Sequence, residues 1–301
     1  MIDKTVQVLP REIEAATRWA FRAAKIPAGY SVAATALVRQ AEIDQGLGLS
    51  VLHHYLSNPD RQPPVPTCLI SDEPHQIGID ARSQHLLICG PNIVDLACAR
   101  AINRGEVRVT VQNVDGGQAL LPHLADTAAK RDLLCLIVAS NETVIAVPQA
   151  PLPLRVSVTQ PQTESGGTQL ADLLEQWGIL TGQESDRLRP ALTLENSEPT
   201  SRSSRIVIYC RRLNQDDMLR ISTDKWLPTL APAKGLAIVQ PHARLKQQRL
   251  AHQKGVAVRA ATWQAIKKFG SRILVPVSAK PTQKNVPSKR KPTISPASFK
   301  S

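Results

Sequence analysis

Between residues 85 and 112 the chain runs through HLLIC, then NIVDLACARAINRG, then VRVTVQ. A short apolar run, a helical stretch closed by Gly105 and an alternating β-branched run within about thirty residues have the spacing of a strand, a crossover helix and a second strand. Such a unit makes parallel strands joined by a right-handed crossover the default. LLCLIVA, TVIAV, RIVIYC, GLAIVQ and GVAVRA are further short, bounded, Leu-rich or β-branched runs, so the sheet extends well beyond one unit. Aromatic residues are 3% of the chain, which leaves Ala, Val, Leu and Ile to build its core.

A different period precedes this region. In REIEAATRWAFRAAK, Ile13, Ala16, Ala20 and Ala23 or Ala24 recur at helical spacing after Pro10. IPAGY breaks that helix, and SVAATALVRQAEIDQ predicts a second, with Val32, Ala36 and Ile43 inward and Gly46 at its end. GLSVLHHYL gives a third. The boundaries expected from this reading are a helical N-terminal unit over 1–57, a proline-rich connector over 58–66, a first α/β portion over 67–158 and a loop-rich segment with one helix, QLADLLEQWGIL, over 159–204. A second, basic α/β portion over 205–278 and a tail over 279–301 complete the chain. The fold class is therefore α/β or α+β, with an N-terminal helical unit, a mixed sheet with crossover helices, and a disordered basic C-terminal tail. DGG at 115–117 suits either a hairpin turn or the start of the helix-like QALLPHLADTAAKRD.

No stretch of the first twenty residues is continuously apolar, and LLCLIVA is the longest uninterrupted apolar run, so neither a signal peptide nor a membrane span is expected. Cys68, Cys89, Cys98, Cys135 and Cys210 are odd in number, widely spaced and set in apolar surroundings, which predicts reduced, buried thiols and a cytoplasmic location. No C-x-x-C or H-x3-5-H pair is present, so no metal site is expected.

The charge is strongly divided. After Asp224 the chain has 16 Lys and Arg and no acid, whereas residues 1–224 carry 21 bases against all 25 acids. Residues 279–301 hold six Lys and Arg, four prolines and no acid, a composition that cannot offset ordering entropy by burial. HARLKQQRLAHQK and WQAIKKFGSR add basic surface before it. The polyanion-binding candidates are Arg244, Lys246, Arg249, Lys254, Lys267, Lys268, Arg272, Lys284, Lys289, Arg290 and Lys291, which would meet nucleic acid or an acidic protein. No recognition-helix, RNP or KH pattern accompanies them, so contact without base readout is implied.

Enzyme motifs are sparse. QGLGLSV has two glycines of a dinucleotide fingerprint, but Val51 stands at the third and no strand precedes it. There is no G-x4-G-K-[ST] and no G-x-S-x-G. His53 and His54 beside Tyr55 suit proton transfer and are the catalytic candidates, whereas the adjacent acids Asp72 and Glu73, and Asp216 and Asp217, point apart and do not pair for acid-base work. His75, His85 and His123 stand alone and read as surface or satisfied core histidines.

Two family resemblances accompany these patterns. EIEAATRWAFRAAKIPAGYSVAATALV, with Glu12, Ile13, Glu14, Ala15, Arg22, Gly29 and Ala34, resembles the opening of a bacterial family known as domain of unknown function 3726. GPNIVDLACARAINRGEVRVTV is similar to its proline-led helix and strand, and Trp263, Ala265, Phe269, Arg272 and Pro276 fall in step with its last motif. Ala23, Ala24 and Lys25 replace that family's R-G-A-G continuation, and AKPTQKNVPSKRKP stands where its Gly-Ala-Gly and Asp-Asn-Asp features would be. The family brings no activity with it beyond a bacterial source. ALVRQAEIDQG, ARAINRGEVRVTVQN and LLEQWGILTG also resemble the NAD(P)-dependent malate and lactate dehydrogenase-like family. That resemblance implies a ligand cleft near His53 and His54, although Gly116 and Gly117 fill the neighbourhood of the family's catalytic histidine and its Ser-His-Gly step is missing.

The expected function is that of a soluble bacterial protein whose α/β body binds a small molecule or a protein partner, with no cofactor. Polyanion binding through the basic C-terminal region is the alternative. An NAD(P)-dependent oxidoreductase-like protein, with NAD(P) as cofactor, is the third.

Overall fold

The computed structural model describes residues 4–140, 142–159, 204–214 and 236–273, together with Glu175. The expected helix QLADLLEQWGIL, most of the loop-rich segment and the basic tail fall outside the described residues.

Strand β1 (Thr5–Val8) leads into helix α1 (Pro10–Ala23). Pro10 presets the first helical φ, and Glu12 accepts the Leu9 backbone N–H at 2.8 Å, so the turn closes on itself. Helix α2 (Ala28–Gln45) ends where Gly46 takes φ +68°, and α3 (Gly48–Ser57) follows at once. Gly48 permits that corner, because a Cβ there would lie 2.0 Å from the Val38 carbonyl oxygen of α2. The inward face of α2 is Ala34, Leu37, Val38 and Ala41 with Ile43. Val32 is 64% exposed and Ala36 is exposed as well, so the face is turned from the one the sequence suggested.

Next come the hairpin β2 (Cys68–Asp72) and β3 (Gln76–Gln84), then α4 (Leu86–Arg104), β4 (Glu106–Val114) and α5 (Leu121–Ala129). After these follow β5 (Leu133–Val138), β6 (Glu142–Val147), β7 (Leu154–Thr159), β8 (Ser204–Arg212) and β9 (Leu236–Val239). The described chain closes with α6 (Pro241–Lys254), β10 (Val256–Arg259), α7 (Ala260–Gly270) and a short 3-10 turn to Ile273.

The expected mixed sheet is present. Eight strands lie in the order β2-β3-β4-β8-β5-β6-β7-β9, with β3 and β4 parallel and every other described pairing antiparallel. β8 enters the middle of the sheet, and β9 forms one edge. β10 pairs instead with β1, in register Thr5↔Arg259 to Val8↔Val256.

HLLIC is not a strand. His85 caps α4 by accepting the Leu87 N–H on Nδ1 at 3.0 Å, and Leu86 to Cys89 form the helix's first turn. The strand before the crossover is QIGIDARSQ, with Ile77, Ile79 and Ala81 inward. Asp115 and the two following glycines lead into a 3-10 turn and α5, not a hairpin. α4 is the one described helix long and apolar enough to cross a membrane, and more than half of it is buried inside the fold, so it is a core helix. All five cysteines are free, and Cys135 and Cys210 face each other across β5 and β8 with sulfurs 3.8 Å apart.

Candidate functional site

β3 and β4 are parallel neighbours, so their carboxyl ends open on the same side of the sheet. Crevices at the carboxyl ends of parallel strands are the usual ligand sites of α/β proteins. A cleft of about 430 Å³ lies there. α3 supplies Ser50, His54 and Tyr55, the connector supplies Asn58 and Arg61, and the strand ends supply Gln84, His85, Asp115, Gly116 and Gly117.

Local backbone geometry shapes this mouth. Arg82, Ser83 and Asn113 all take left-handed φ values of 52°, 56° and 57°, which is uncommon for residues with a Cβ. Asp80 secures them by accepting the Arg82 backbone N–H at 2.8 Å and the Asn113 side chain at 3.0 Å. The first of these bonds is the main reason its carboxyl is held below the usual carboxylate range. Gly116 and Gly117 take φ +75° and +87°, and a Cβ on Gly117 would lie 2.8 Å from His85 Cε1. The double glycine is therefore the floor against which the imidazole lies.

His85 is the polar centre of the cleft. Burial drives its pKa down to about 4, with His54 adding to the shift, so the ring is neutral near pH 7. Because Nδ1 accepts from Leu87, the proton resides on Nε2, beside Gly116. The Tyr55 ring stands 5.3 Å from the imidazole, and the Arg61 guanidinium lies 5.5 Å over the other ring partner, Tyr55. Burial also raises the Tyr55 phenol above its ordinary pKa. Gln84 is only 4% exposed, and its amide nitrogen donates to the Val65 carbonyl of the connector. Its Oε1 is buried without a partner among the described residues. The cleft thus presents a neutral imidazole N–H, a phenol and a guanidinium, while the Gln84 carbonyl oxygen stays enclosed beneath its wall.

The structure separates the three catalytic candidates. His54 and Tyr55 line this cleft, whereas His53 lies on another face of α3, against α7. Gln84, His85 and the Gly116–Gly117 floor were not among the candidates. The available signal was the βαβ unit itself, which places the last residues of both strands together.

The basic candidates also divide. Lys246, Arg249 and Lys254 on α6, Lys267 and Lys268 on α7, and Arg272 after it are exposed. Arg244 is not part of that surface: it is 1% exposed and turned into the protein. Its guanidinium donates to Asp44 at 2.8 Å, to Asp126 and to the Pro153 carbonyl at 3.1 Å. Arg155 of β7 donates to Asp126 and also lies 3.5 Å from Asp44. Desolvating an arginine is costly unless acids meet it, and Asp44 and Asp126 are those acids. Lys284, Lys289, Arg290 and Lys291 lie outside the described residues.

His123 completes this buried group. Burial, with Arg155 next, takes its pKa down to about 3, so Nδ1 accepts from Arg155 at 3.3 Å and Nε2 donates to Gln45 at 3.2 Å. Asp44, His123 and Asp126 bring three potential metal-ligand atoms within 4.8 Å of one another. Two guanidiniums already match both carboxylates there, so the donor set does not fit a cation.

A dinucleotide implies different demands. Helix N-termini hold diphosphates through free backbone N–H groups. In α4 those groups are taken: Leu86 N donates to the Gly116 carbonyl, Leu87 N to His85 Nδ1, and Ile88 and Cys89 to the His85 carbonyl. Arg61 is the one guanidinium lining the cleft among the described residues. These residues do not fit a diphosphate at α4, and no step through nicotinamide follows from them.

The fold and cleft place the chain among α/β proteins with a crevice at the carboxyl ends of parallel strands. Solved structures of the same fold include several dehydrogenases. A malate dehydrogenase from Entamoeba histolytica superposes with TM-score 0.65 at 11% identity, over 91% of this chain and 100% of that one. A malate dehydrogenase from Pyrococcus horikoshii gives 0.65 at 10%, over 90% and 97%. A sulfolactate dehydrogenase from Methanocaldococcus jannaschii gives 0.61 at 12%, over 90% and 98%. No protein-family model and no curated protein sequence matches the chain, so the resemblance to domain of unknown function 3726 gains no support. The resemblance to malate and lactate dehydrogenases is supported at the level of fold.

Proposed function

We propose that the protein binds a small organic acid in the cleft between α3 and the ends of β3 and β4. The observation that carries this reading is a neutral His85 set beside the Tyr55 ring and the Arg61 guanidinium in one 430 Å³ cleft. Arg61 suits a carboxylate at the mouth. His85 Nε2–H suits a neutral oxygen such as a carbonyl or hydroxyl, and Tyr55 can serve either role. A hydroxy or keto acid supplies all these groups. The fold supports this ligand class, since its neighbours are named for malate and sulfolactate.

The test is a thermal-shift and calorimetric titration of the full chain with malate, lactate and sulfolactate, and separately with NADH and NADPH. An acid that raises the melting temperature in wild type but not in Arg61→Gln or Tyr55→Phe is the expected result. No shift with any acid overturns the reading. A shift with either nicotinamide nucleotide instead supports the oxidoreductase alternative, to be followed by nicotinamide absorbance with the acids present.

A further inference from the structure

Helix α3 has a concavity on each side. His54 and Tyr55 face the cleft, whereas His53, Leu56 and Ser57 face a second hollow of about 220 Å³ shared with α7. Across it stand Ile266, Lys268, Phe269 and Arg272. Leu56 and Ile266 are buried and give the hollow an apolar base. Its polar wall carries an ammonium, a guanidinium, an imidazole and a hydroxyl, and none of its lining residues is an acid.

Three of these groups are pre-positioned. The Arg272 guanidinium lies 4.6 Å over the Phe269 ring, and Phe269 packs against the core, so the cation is held beside the hollow. Ser57 Oγ lies 3.4 Å from His53 Nε2, which joins hydroxyl and imidazole along one turn of α3. Lys267, by contrast, lies 5.9 Å over the Trp263 ring and does not line the hollow. Here, among the described residues, charge of the basic C-terminal region meets a shaped, partly apolar recess.

We propose that this hollow binds the phosphoryl group of a small molecule, with Arg272 and Lys268 meeting the charge and Ser57 and His53 completing the hydrogen bonds. A guanidinium beside an ammonium and a hydroxyl matches a phosphate monoester, whose oxygens accept from all three. The recess is too small for a nucleic-acid track. It is separate from the cleft, and its occupancy does not depend on the organic-acid reading.

The probes are inorganic phosphate and glycerol phosphate, titrated into the full chain at constant ionic strength and followed by 31P line broadening. Saturable binding is expected, weakened about tenfold or more by Arg272→Gln and by Lys268→Gln, since each removes a charge-assisted hydrogen bond. Lys246→Gln and Arg249→Gln, on the exposed face of α6, are expected to bind as wild type does. All four side chains are exposed, so melting temperatures should stay unchanged and the comparison remains interpretable. Tighter binding of glycerol phosphate identifies an organic phosphate as the ligand, and equal binding identifies free phosphate. Absence of saturable binding, or equal weakening in all four variants, overturns the proposal, and the second result assigns the region to diffuse polyanion contact.

Discussion

Glu42 and Asp44 sit two residues apart at the end of α2 with buried side chains, and their carboxyls shift in opposite directions. Burial raises Glu42, only partly countered by the Leu49 N–H that its carboxylate accepts at 2.8 Å. Burial is the largest influence on Asp44 and raises it, but the charge and hydrogen bond of Arg244, together with weaker neighbours such as Gln40, outweigh it and leave the carboxyl below its ordinary value. Asp44 therefore contributes stability above about 3.8, and that contribution is lost as pH falls through its lower folded value. Glu42 has the reverse sign, so its charge is a cost at neutral pH. Asp44→Asn is expected to lose about 3–5 kcal/mol because two buried guanidiniums then share one acid. Glu42→Gln, whose amide oxygen can still cap α3, should stay within about 1 kcal/mol of wild type. Urea denaturation at pH 7 compares the two directly.

The buried histidines give a second prediction. His85 and His123 have folded pKa values of about 4 and about 3, below the ordinary 6.5. Their neutral forms contribute stability that is complete above 6.5 and is lost as pH falls toward the folded values. Unfolding free energy should decline by up to roughly 1.4 kcal/mol per pH unit for each histidine below that point. His123→Gln should flatten the decline between pH 6.5 and 5, and an unchanged slope in denaturation series across that range would refute the assignment. Neither residue announces its burial in sequence. His85 precedes an apolar run that resembles a strand, and the partners of His123 come from α2 and β7.

Elements were legible where their own pattern decided their form. VRVTVQ, LLCLIVA, TVIAV and RIVIYC are strands because β-branched and leucine-rich runs bounded by polar residues suit a buried sheet. The first turn of α4 was misread because a helix buried on most sides loses its polar stripe, and HLLIC alone has no period to distinguish helix from strand. β3 was hidden for the opposite reason. Gly78, Asp80 and Arg82 are strand-poor residues on its outward positions, and only the spacing of Ile77, Ile79 and Ala81 betrays it. The junctions after β3 and β4 give an element-scale prediction. Gly117→Ala must place a Cβ 2.8 Å from His85 Cε1 and 2.9 Å from Leu86 Cβ, at φ +87°. The expected loss is about 1–3 kcal/mol with the cleft distorted, so both the melting temperature and acid binding should fall. A Gly117→Ala protein with wild-type values of both would show that the floor is less constrained than its geometry implies.

Across the whole molecule the sequence divides sharply by charge, yet the fold does not divide at the same place. Residues 225–301 hold no acid, but those described among them are built into the body. β9 closes one edge of the large sheet, β10 supplies the partner of β1, α7 packs on α1 and α3, and Arg244 neutralises acids from α2 and α5. Such long-range pairings leave no local trace, because an arginine 200 residues from its aspartate has an ordinary sequence neighbourhood. The consequence is a pair of truncations with opposite outcomes. A chain ending at residue 278 keeps every described contact and removes a segment with six cations, four prolines and no acid, so its melting temperature should stay within about 2 °C of wild type. A chain ending at residue 235 leaves Asp44 and Asp126 facing Arg155 alone, strips β1 of its partner and exposes the apolar faces of α1 and α3. Loss of cooperative unfolding is expected, because an unmatched buried charge and exposed core surface each cost several kcal/mol. Equal stability of the two truncated chains in calorimetry would mean that the basic region rests on the body without supporting it.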